Sequence, residues 1–407
     1  MSFFQGKAWG AENMNLTQVL DKLPDRILIK ERSYFRWKRD AVLAAVFSVL
    51  TLVLCFIPTG FEELQPKNSV RCRGRIIDVD NSEVKQFGIV KIGTQDLTVQ
   101  ILDGPFAGEK VRADNEIIGK LELDKVFKVN DTALMVLSLK DGEIFYANAQ
   151  DHFRLHIELV LLICFCLLLV SFAGWTGAKA LLSFIFSALT IWKILIPLFL
   201  KNVDPIAVSL AVVTVLTAAI IFLVGGLTRR GLVAFLGAFF GIITTCVLAL
   251  TFSRGFHLHG AIKPFSESLL YSGFPHLNLT RIFLAGIFMA SAGAVMDLAM
   301  DVAASMHEVA LKKPDISFTE AVRSGFRVGR AVVGTMTTTL LFAYSGGYIT
   351  LMMVYMAQGV PLANFFNLNY VAAEVLCTVI GSFGLVTVAP FTAVTGALIY
   401  TKRGNQN

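Results

Sequence analysis

The chain has 407 residues, of which 55% are hydrophobic and only 16% are charged. Soluble domains usually carry about 25% charged residues, so this composition argues against an ordinary soluble enzyme, and the apolar content excludes a disordered chain. The 36 basic and 30 acidic side chains give a net charge of +6, which the basic loops of a membrane protein explain without nucleic acid as a partner. We therefore expect a protein that crosses the lipid bilayer several times.

A polar segment, residues 1–40, opens the chain with eight basic and five acidic side chains. It is longer than the charged start of a signal peptide. The apolar run that follows, 41–58, is therefore predicted to be a first transmembrane helix, and residues 1–40 a cytoplasmic N-terminal segment.

Residues 59–154 differ in character from the rest of the chain. They contain short stretches rich in β-branched residues, and Asp141-Gly142 between the last two is typical of a two-residue hairpin turn. The predicted strands are 70–79, 97–101, 133–139 and 144–147. This pattern predicts a small all-β domain, either a barrel or a sandwich, between the first and second transmembrane helices.

Seven more apolar runs follow, each long enough to cross about 30 Å of hydrocarbon as a helix. They are 155–173, 178–200, 205–227, 231–252, 282–304, 331–357 and 371–400. Together with 41–58 they predict an α-helical polytopic membrane protein with about eight transmembrane helices, seven of them in a domain that covers 155–401.

Basic residues indicate the orientation of these helices. With the N-terminus in the cytoplasm, the loops on that side hold Arg229, Arg230 and the basic cluster within 312–330, whereas the opposite loops hold few basic residues. The positive-inside rule then predicts that both termini, including the tail 402–407, are cytoplasmic and that the β domain is extracytoplasmic.

The predicted cytoplasmic loop 311–329 contains a helix start. Ser317 is followed three residues later by Glu320, which is a capping-box pattern. We expect an amphipathic helix along the inner membrane surface, with Phe318, Val322 and Phe326 toward lipid.

Four ionisable side chains lie inside apolar runs, where a charge costs roughly 3 kcal/mol or more and is a functional candidate. They are Lys193, Asp297, Asp301 and Glu374. Lys193 either reaches the outer surface or pairs with an acid. Glu374 is either solvated near the outer end of the eighth span or has a role within the helix bundle.

The sixth span carries the strongest of these patterns. Asp297, Asp301, Ser305 and Glu308 are spaced by four, four and three residues, so they share one helix face. Two carboxylates one turn apart repel each other, which makes one of them protonatable near neutral pH, as in a proton relay. The alternative is that Asp301 and Glu308 lie at the cytoplasmic helix end, solvated or paired with an arginine at the start of the seventh span.

Hydroxyl and glycine residues add three further expectations. Thr337 and Thr338 in the seventh span are candidates to bond a protonated carboxyl group or to bridge water, although threonine commonly bonds a carbonyl of its own helix. Gly346-Gly347 permits a kink or a tight contact in the same span, and Gly237-Ala-Phe-Phe-Gly241 in the fifth span is a GxxxG packing motif.

Other chemistry finds little support in the sequence. It contains no nucleophile elbow, phosphate-binding loop or His-Glu-x-x-His motif. His257, His259 and His276 are loosely spaced loop residues, which favours solvated side chains over a metal site. Five of the six cysteines lie in apolar stretches, and Cys72 has no cysteine partner in its own polar segment. We therefore expect no disulfide framework, no enzyme activity, no cofactor and no bound metal.

Four stretches of the membrane part carry a family resemblance: 193–197, 293–305, 327–340 and Tyr344-Ser-Gly-Gly347. They resemble the bacterial YibE/F family of membrane proteins, over about 155–400, while the β domain agrees only in general character. The resemblance implies a multi-pass protein of the bacterial plasma membrane.

A fainter similarity is to the SecD/SecF and RND-type transporters. In those proteins a helix with intramembrane aspartates is followed by an amphipathic segment and a threonine-rich helix, and the corresponding run here is 297–347. Such proteins use the aspartates to couple proton flow to movement of an extracytoplasmic domain, so the similarity implies coupling here. This chain differs in its eight predicted spans, against six, and in its small outer domain.

The favoured hypothesis is a permease or export component driven by protons. Asp297 would be the proton carrier and Asp301 its partner; the other candidate residues are Ser305, Thr337, Thr338, Glu374 and, as a counter-charge, Lys193. The alternative is a non-transporting accessory or assembly protein whose β domain binds a partner polypeptide. The sequence names no substrate and leaves a homo-oligomer open.

Overall fold

A computed structural model describes residues 25–64 and 68–401 of the chain. The tail 402–407 and most of the predicted cytoplasmic segment 1–40 lie outside the described residues. The chain divides into two compact units, one of residues 58–177 and one of residues 1–57 together with 178–407. The first contains the β domain, and the second contains most of the helices.

Helices account for most of the described residues. They are α1 (Asp25–Phe56), α2 (Leu155–Thr190), α3 (Ile196–Leu200), α4 (Pro205–Gly225), α5 (Arg229–Phe256), α6 (Ser266–Tyr271), α7 (Leu279–Lys312), α8 (Phe318–Gly346), α9 (Ile349–Ala357), α10 (Leu362–Asn367) and α11 (Asn369–Thr401). A π-helical turn, Ile191–Leu195, joins α2 to α3, and short 3₁₀ turns cover Glu62–Leu64 and Gly260–Ile262.

Six helical stretches within the described residues are long and apolar enough to cross a membrane. A seventh candidate is the pair α8 and α9, which bends by 67° where one helix ends at Gly346 and the next begins at Ile349. The kink predicted at Gly346-Gly347 is confirmed. The eight predicted spans differ from this number because 155–173 and 178–200 belong to one helical stretch, Leu155–Leu200.

Gly174 interrupts that long stretch. Its φ of 55° and ψ of −130° are not helical, and the left-handed region favours glycine because it lacks a Cβ. A Cβ placed on Gly177 would overlap the carbonyl oxygen of Leu169 and lie 3.1 Å from Cβ of Ala173. Leu169 and Gly177 are eight residues apart, and in a straight helix they would be separated by about 12 Å. Their close approach therefore shows that the chain turns sharply at Gly174.

Helix α7 lies at the centre of the helical unit, where it packs against α4, α5, α8 and α11. Its buried residues come from three sides of the helix, and many are small or branched, among them Ala285, Val295 and Ala299. Helices α7 and α11 run in the same direction, because Ser291 lies against Gly381 and Met306 lies against Gly396 further along both helices.

The predicted packing motif in α5 brings that helix close to α11. A Cβ placed on Gly237 would lie 2.8 Å from Cβ and 3.0 Å from Cα of Thr392, and one on Gly241 would lie 3.1 Å from Cβ of Val388. Small residues allow this approach, so the packing interpretation of Gly237 and Gly241 is confirmed.

Replacing Gly237 by alanine should therefore destabilise the protein, by about 1–3 kcal/mol, the usual cost of overpacking a close contact. Thermal unfolding of the detergent-solubilised chain would measure the loss. Gly286→Ala is the matched control, because a Cβ there meets no atom within 4 Å. Equal stability of the two variants would contradict the close approach.

The capping box at Ser317 is present, but its helix differs from the expectation. Ser317 Oγ accepts from the Glu320 backbone N–H and the Glu320 carboxylate accepts from the Ser317 N–H, both at 3.3 Å. The helix then continues without a break to Gly346. Val322 and Phe326 pack on the helical core rather than facing lipid, because the adjoining Gly325 lets α8 approach α11 closely.

The β domain has six strands: β1 (Ser69–Asp80), β2 (Lys85–Phe87), β3 (Val90–Ile101), β4 (Lys110–Ile118), β5 (Thr132–Lys140) and β6 (Glu143–His152). β1 pairs with both β3 and β5, which closes a five-stranded barrel in the order β1-β3-β4-β6-β5. Every pairing in that circuit is antiparallel except β4 with β6. This strand order is that of a partly open, OB-type barrel.

The turn predicted between β5 and β6 is confirmed. Asp141 and Gly142 have φ values of 56° and 86°, as a type I′ hairpin requires. At one end of the barrel, the side chains of Gln95 and Asn115 are fully buried and hydrogen-bonded to each other and to the carbonyls of Phe127 and Lys125. The loop before β5 is held over the barrel by these bonds.

All six cysteines are free. Burial raises the pKa of the Cys72 thiol to about 11, with a smaller contribution from the charge of Asp103. A thiol in that state is a poor nucleophile.

Candidate functional site

One face of α7 is left uncovered by the other residues that the structure describes. It is marked by exposed residues that recur every three or four positions, namely Gly286, Ala290, Gly293, Asp297 and Asp301. Glu308 continues this face and Ser305 is half-buried beside it. The expectation that the two aspartates share a helix face therefore agrees with the structure. We call this surface the α7 acidic face.

Helices α4 and α8 flank the α7 acidic face. On one side, Met300 lies 3.7 Å from a Cβ placed on Gly225 at the end of α4. On the other side, Val302 lies 4.0 Å from a Cβ placed on Gly329 of α8. The acidic face is thus the part of α7 that lies between its contacts with these two neighbours.

Asp297 lies near the middle of α7, 18 residues after its first residue and 15 before its last. Neither Asp297 nor Asp301 makes a hydrogen bond or an ion pair with any other described residue, and neither Arg327 nor Arg330 is paired with them. The alternative in which an arginine of α8 neutralises Asp301 is therefore not what the structure contains. The two carboxylates remain available for a proton, water or a partner.

The threonines of α8 bond their own helix. Thr337 Oγ1 donates to the carbonyls of Val333 and Gly334, both at 3.0 Å, and Thr338 Oγ1 donates to Gly334 at 3.1 Å. This is the commoner of the two interpretations. Each hydroxyl oxygen still has lone pairs that can accept a hydrogen bond.

Lys193 forms no ion pair with any of the described acidic residues. It lies in the π-helical turn, and its Nζ donates to the carbonyl oxygen of Ile57 at 2.9 Å, directly after α1 ends. The last carbonyls of a helix lack partners within the helix. Lys193 therefore stabilises the end of α1 instead of serving the aspartates as a counter-charge.

Glu374, near the start of α11, belongs to a separate polar cluster. Its Oε1 accepts from Nζ of Lys263 at 2.6 Å, and the same Nζ lies 3.2 Å from the Tyr348 hydroxyl. The Glu374 side chain is 14% exposed. A cleft of about 380 Å³ opens beside it and is lined in part by Lys263, Tyr348 and Tyr370. Glu374 is thus paired with Lys263, and the bend between α8 and α9 brings Tyr348 to the same lysine. We call these three residues the Glu374 cluster.

Along the helix axes, Tyr344 lies between Asp297 and Glu374. Its ring lies 3.7 Å from a Cβ placed on Gly381, which also lies 3.3 Å from Cβ of Ser291. Asp297 is six residues beyond Ser291, and Glu374 is seven residues before Gly381. The two carboxylates are therefore about 20 Å apart along the helix axes. The Tyr344 hydroxyl is buried and lacks a hydrogen-bond partner among the described residues.

Sequence reasoning missed a buried ion pair. Lys179 Nζ lies 3.3 Å from Oδ2 of Asp40, and the two side chains are only 5% and 27% exposed. Lys179 lies within α2. The pair that Lys263 forms with Glu374 was not predicted either. Nothing in the local pattern of either lysine points to a partner more than 100 residues away.

The comparisons with known proteins concern the helical part of the chain. The family model for YibE/F-like proteins matches residues 161–402, more than half of the chain. The chain belongs to the YibE/F-like family. No curated protein and no solved structure matches it. The match covers both the α7 acidic face and the Glu374 cluster, so both lie in the part of the molecule that defines a YibE/F-like protein.

Proposed function

We propose that this YibE/F-like protein is a membrane permease or export component coupled to proton movement, and not an enzyme. Asp297 is the proton carrier and Asp301 its partner. The observation that supports this proposal is the position of two carboxylates near the middle of an apolar helix, on a face where no other described residue pairs with them. A permanently charged pair there costs several kcal/mol, so binding and releasing a proton is the chemistry that suits it.

The path proposed for the proton runs from the α7 acidic face toward the Glu374 cluster. Tyr344 lies between Asp297 and Glu374 along the helix axes, and its hydroxyl has no partner among the described residues. Water would be needed on both sides of it to bridge about 20 Å. Thr337 and Thr338 are proposed as hydrogen-bond acceptors along the path, and Ser305 as an acceptor beyond Asp301, at the end of the path away from Glu374. Lys193 is outside the path because its ammonium group is held at the end of α1.

The proposed setting is the bacterial plasma membrane, with both termini in the cytoplasm and the β domain outside. Dividing the Leu155–Leu200 stretch at Gly174 and counting α8 with α9 as one span gives the eight spans of this topology. A second function, binding of a partner polypeptide by the β domain, is favoured by an open cleft in the barrel. Assembly of several copies is compatible with either function.

Labelling with dicyclohexylcarbodiimide tests the protonation of Asp297. This reagent attaches covalently to carboxyl groups that are protonated in apolar surroundings, and mass spectrometry locates the adduct. We expect an adduct on the peptide that contains Asp297, with a yield that falls as the pH is raised, because only the protonated form reacts. Asp297→Asn should remove the adduct.

Glu308→Gln is the control for this labelling, because Glu308 lies on the same helix face near its end. That variant should be labelled like the unmodified chain. An absence of labelling at Asp297, or labelling only at strongly acidic pH as for a solvated carboxylate, would contradict the proposal.

A further inference from the structure

The barrel of the β domain is open along one seam. β4 is paired with β3 along its whole length, and β6 is paired with β5, but β4 and β6 share only the pair Asp114–Asn148. On one side of that pair, the facing edges of residues 110–113 and 143–147 have no strand partner in the described part of the chain. Such edges present rows of N–H and C=O groups that can pair with another strand.

A cleft of about 670 Å³ follows this seam. Two aromatic residues of β6 line it and are turned outward, Phe145 with 76% and Tyr146 with 42% of the residue exposed. The cleft thus combines unpaired strand edges with apolar surface, which are the two elements of recognition by strand addition.

The charge of the cleft is mainly negative. Glu109, Asp114 and Glu143 line it against the single cation Arg112, and none of these four side chains forms an ion pair with another described residue. Lys140, which is not among the residues that line the cleft, has its Nζ 5.9 Å from the centroid of the Phe145 ring. A cation at this distance is attracted by the ring face.

We infer that the seam binds an extended, basic segment of a partner polypeptide, which adds a strand between β4 and β6. The free backbone edges select a polypeptide because its N–H and C=O groups repeat at the same spacing. The carboxylates select lysine or arginine and repel the phosphates of a nucleic acid. This inference rests on the proposed binding role of the β domain and is independent of the proton relay.

Fluorescence anisotropy with the full-length protein in nanodiscs tests the inference. The probe is a labelled eight-residue peptide that alternates lysine and valine. We expect saturable binding, and binding weakened at least about tenfold, or 1.4 kcal/mol, in the variant Glu109→Lys/Glu143→Lys. The matched control is Glu116→Lys/Glu122→Lys, which changes the same charge at exposed positions outside the cleft.

A second probe separates strand pairing from attraction between charges. The same peptide with alternate backbone amides N-methylated keeps its charge but loses half of its backbone donors, so we expect it to bind at least tenfold more weakly. Equal binding of the two peptides, equal binding to both double variants, or no binding to the unmodified chain would overturn the inference. Carbodiimide labelling of Asp297 is unaffected by these results, so the two proposals fail separately.

Discussion

Proton uptake by proteoliposomes that contain the Asp297→Asn variant should fall to the rate of protein-free vesicles. Asparagine keeps the size of the side chain and its ability to hydrogen-bond, but it cannot bind and release a proton. Asp297 is also the more central of the two aspartates on α7, so no other described carboxylate of that helix can replace it at the same depth. An inside-negative potassium diffusion potential would drive uptake, with a pH dye trapped in the vesicle reporting it.

Two further variants test whether the loss of proton uptake is specific to Asp297. Asp301→Asn should slow uptake without abolishing it, since Asp301 acts on Asp297 through charge. Glu308→Gln removes the same kind of charge near the end of the helix and should leave uptake unchanged. The proton relay would be refuted by normal uptake in Asp297→Asn, or by an unmodified protein no more active than empty vesicles.

The largest effect on stability is expected at Lys179. Its ammonium group is almost fully buried and contacts the Asp40 carboxylate. Removing one member of a buried ion pair leaves an uncompensated charge and costs about 3 kcal/mol or more. Lys179→Met should therefore lower the unfolding temperature of the detergent-solubilised protein and its yield from membranes.

The double variant Asp40→Asn/Lys179→Met should recover part of that loss, because it no longer buries an isolated charge. Lys201→Met, at an exposed position that follows α3, is the control for loss of a lysine and should unfold like the unmodified chain. A double variant as unstable as the sum of its single variants would show that the two side chains do not interact.

Local sequence patterns predicted much of the architecture. The apolar runs correspond to helical stretches, the Ser317 and Glu320 box starts α8, and Asp141-Gly142 makes the predicted turn. Each of these features depends on residues within a few positions of one another, so the sequence displays it directly. The shared face of Asp297 and Asp301 belongs to the same class because helical spacing determines it.

Two kinds of feature were not predictable in this way. β4 was missed because two of its buried positions are Ala113 and Asn115, which do not produce the usual alternation of large apolar residues. Asn115 can be buried only because Gln95 and two loop carbonyl groups are arranged around it. The partners of Lys179 and Glu374 are likewise fixed by tertiary packing, across 139 and 111 residues of chain.

The α7 acidic face also determines how substitutions along this helix would be tolerated. On the three packed sides, residues such as Ala299 and Val302 are fully buried. The size of the side chain is restricted there, because even one added methylene group would disturb the packing. On the fourth side, an added Cβ at Gly286 or Gly293 meets no described atom within 4 Å, so the described part of the chain does not restrict side-chain size there. Tolerance to larger side chains therefore alternates along this helix with the helical period.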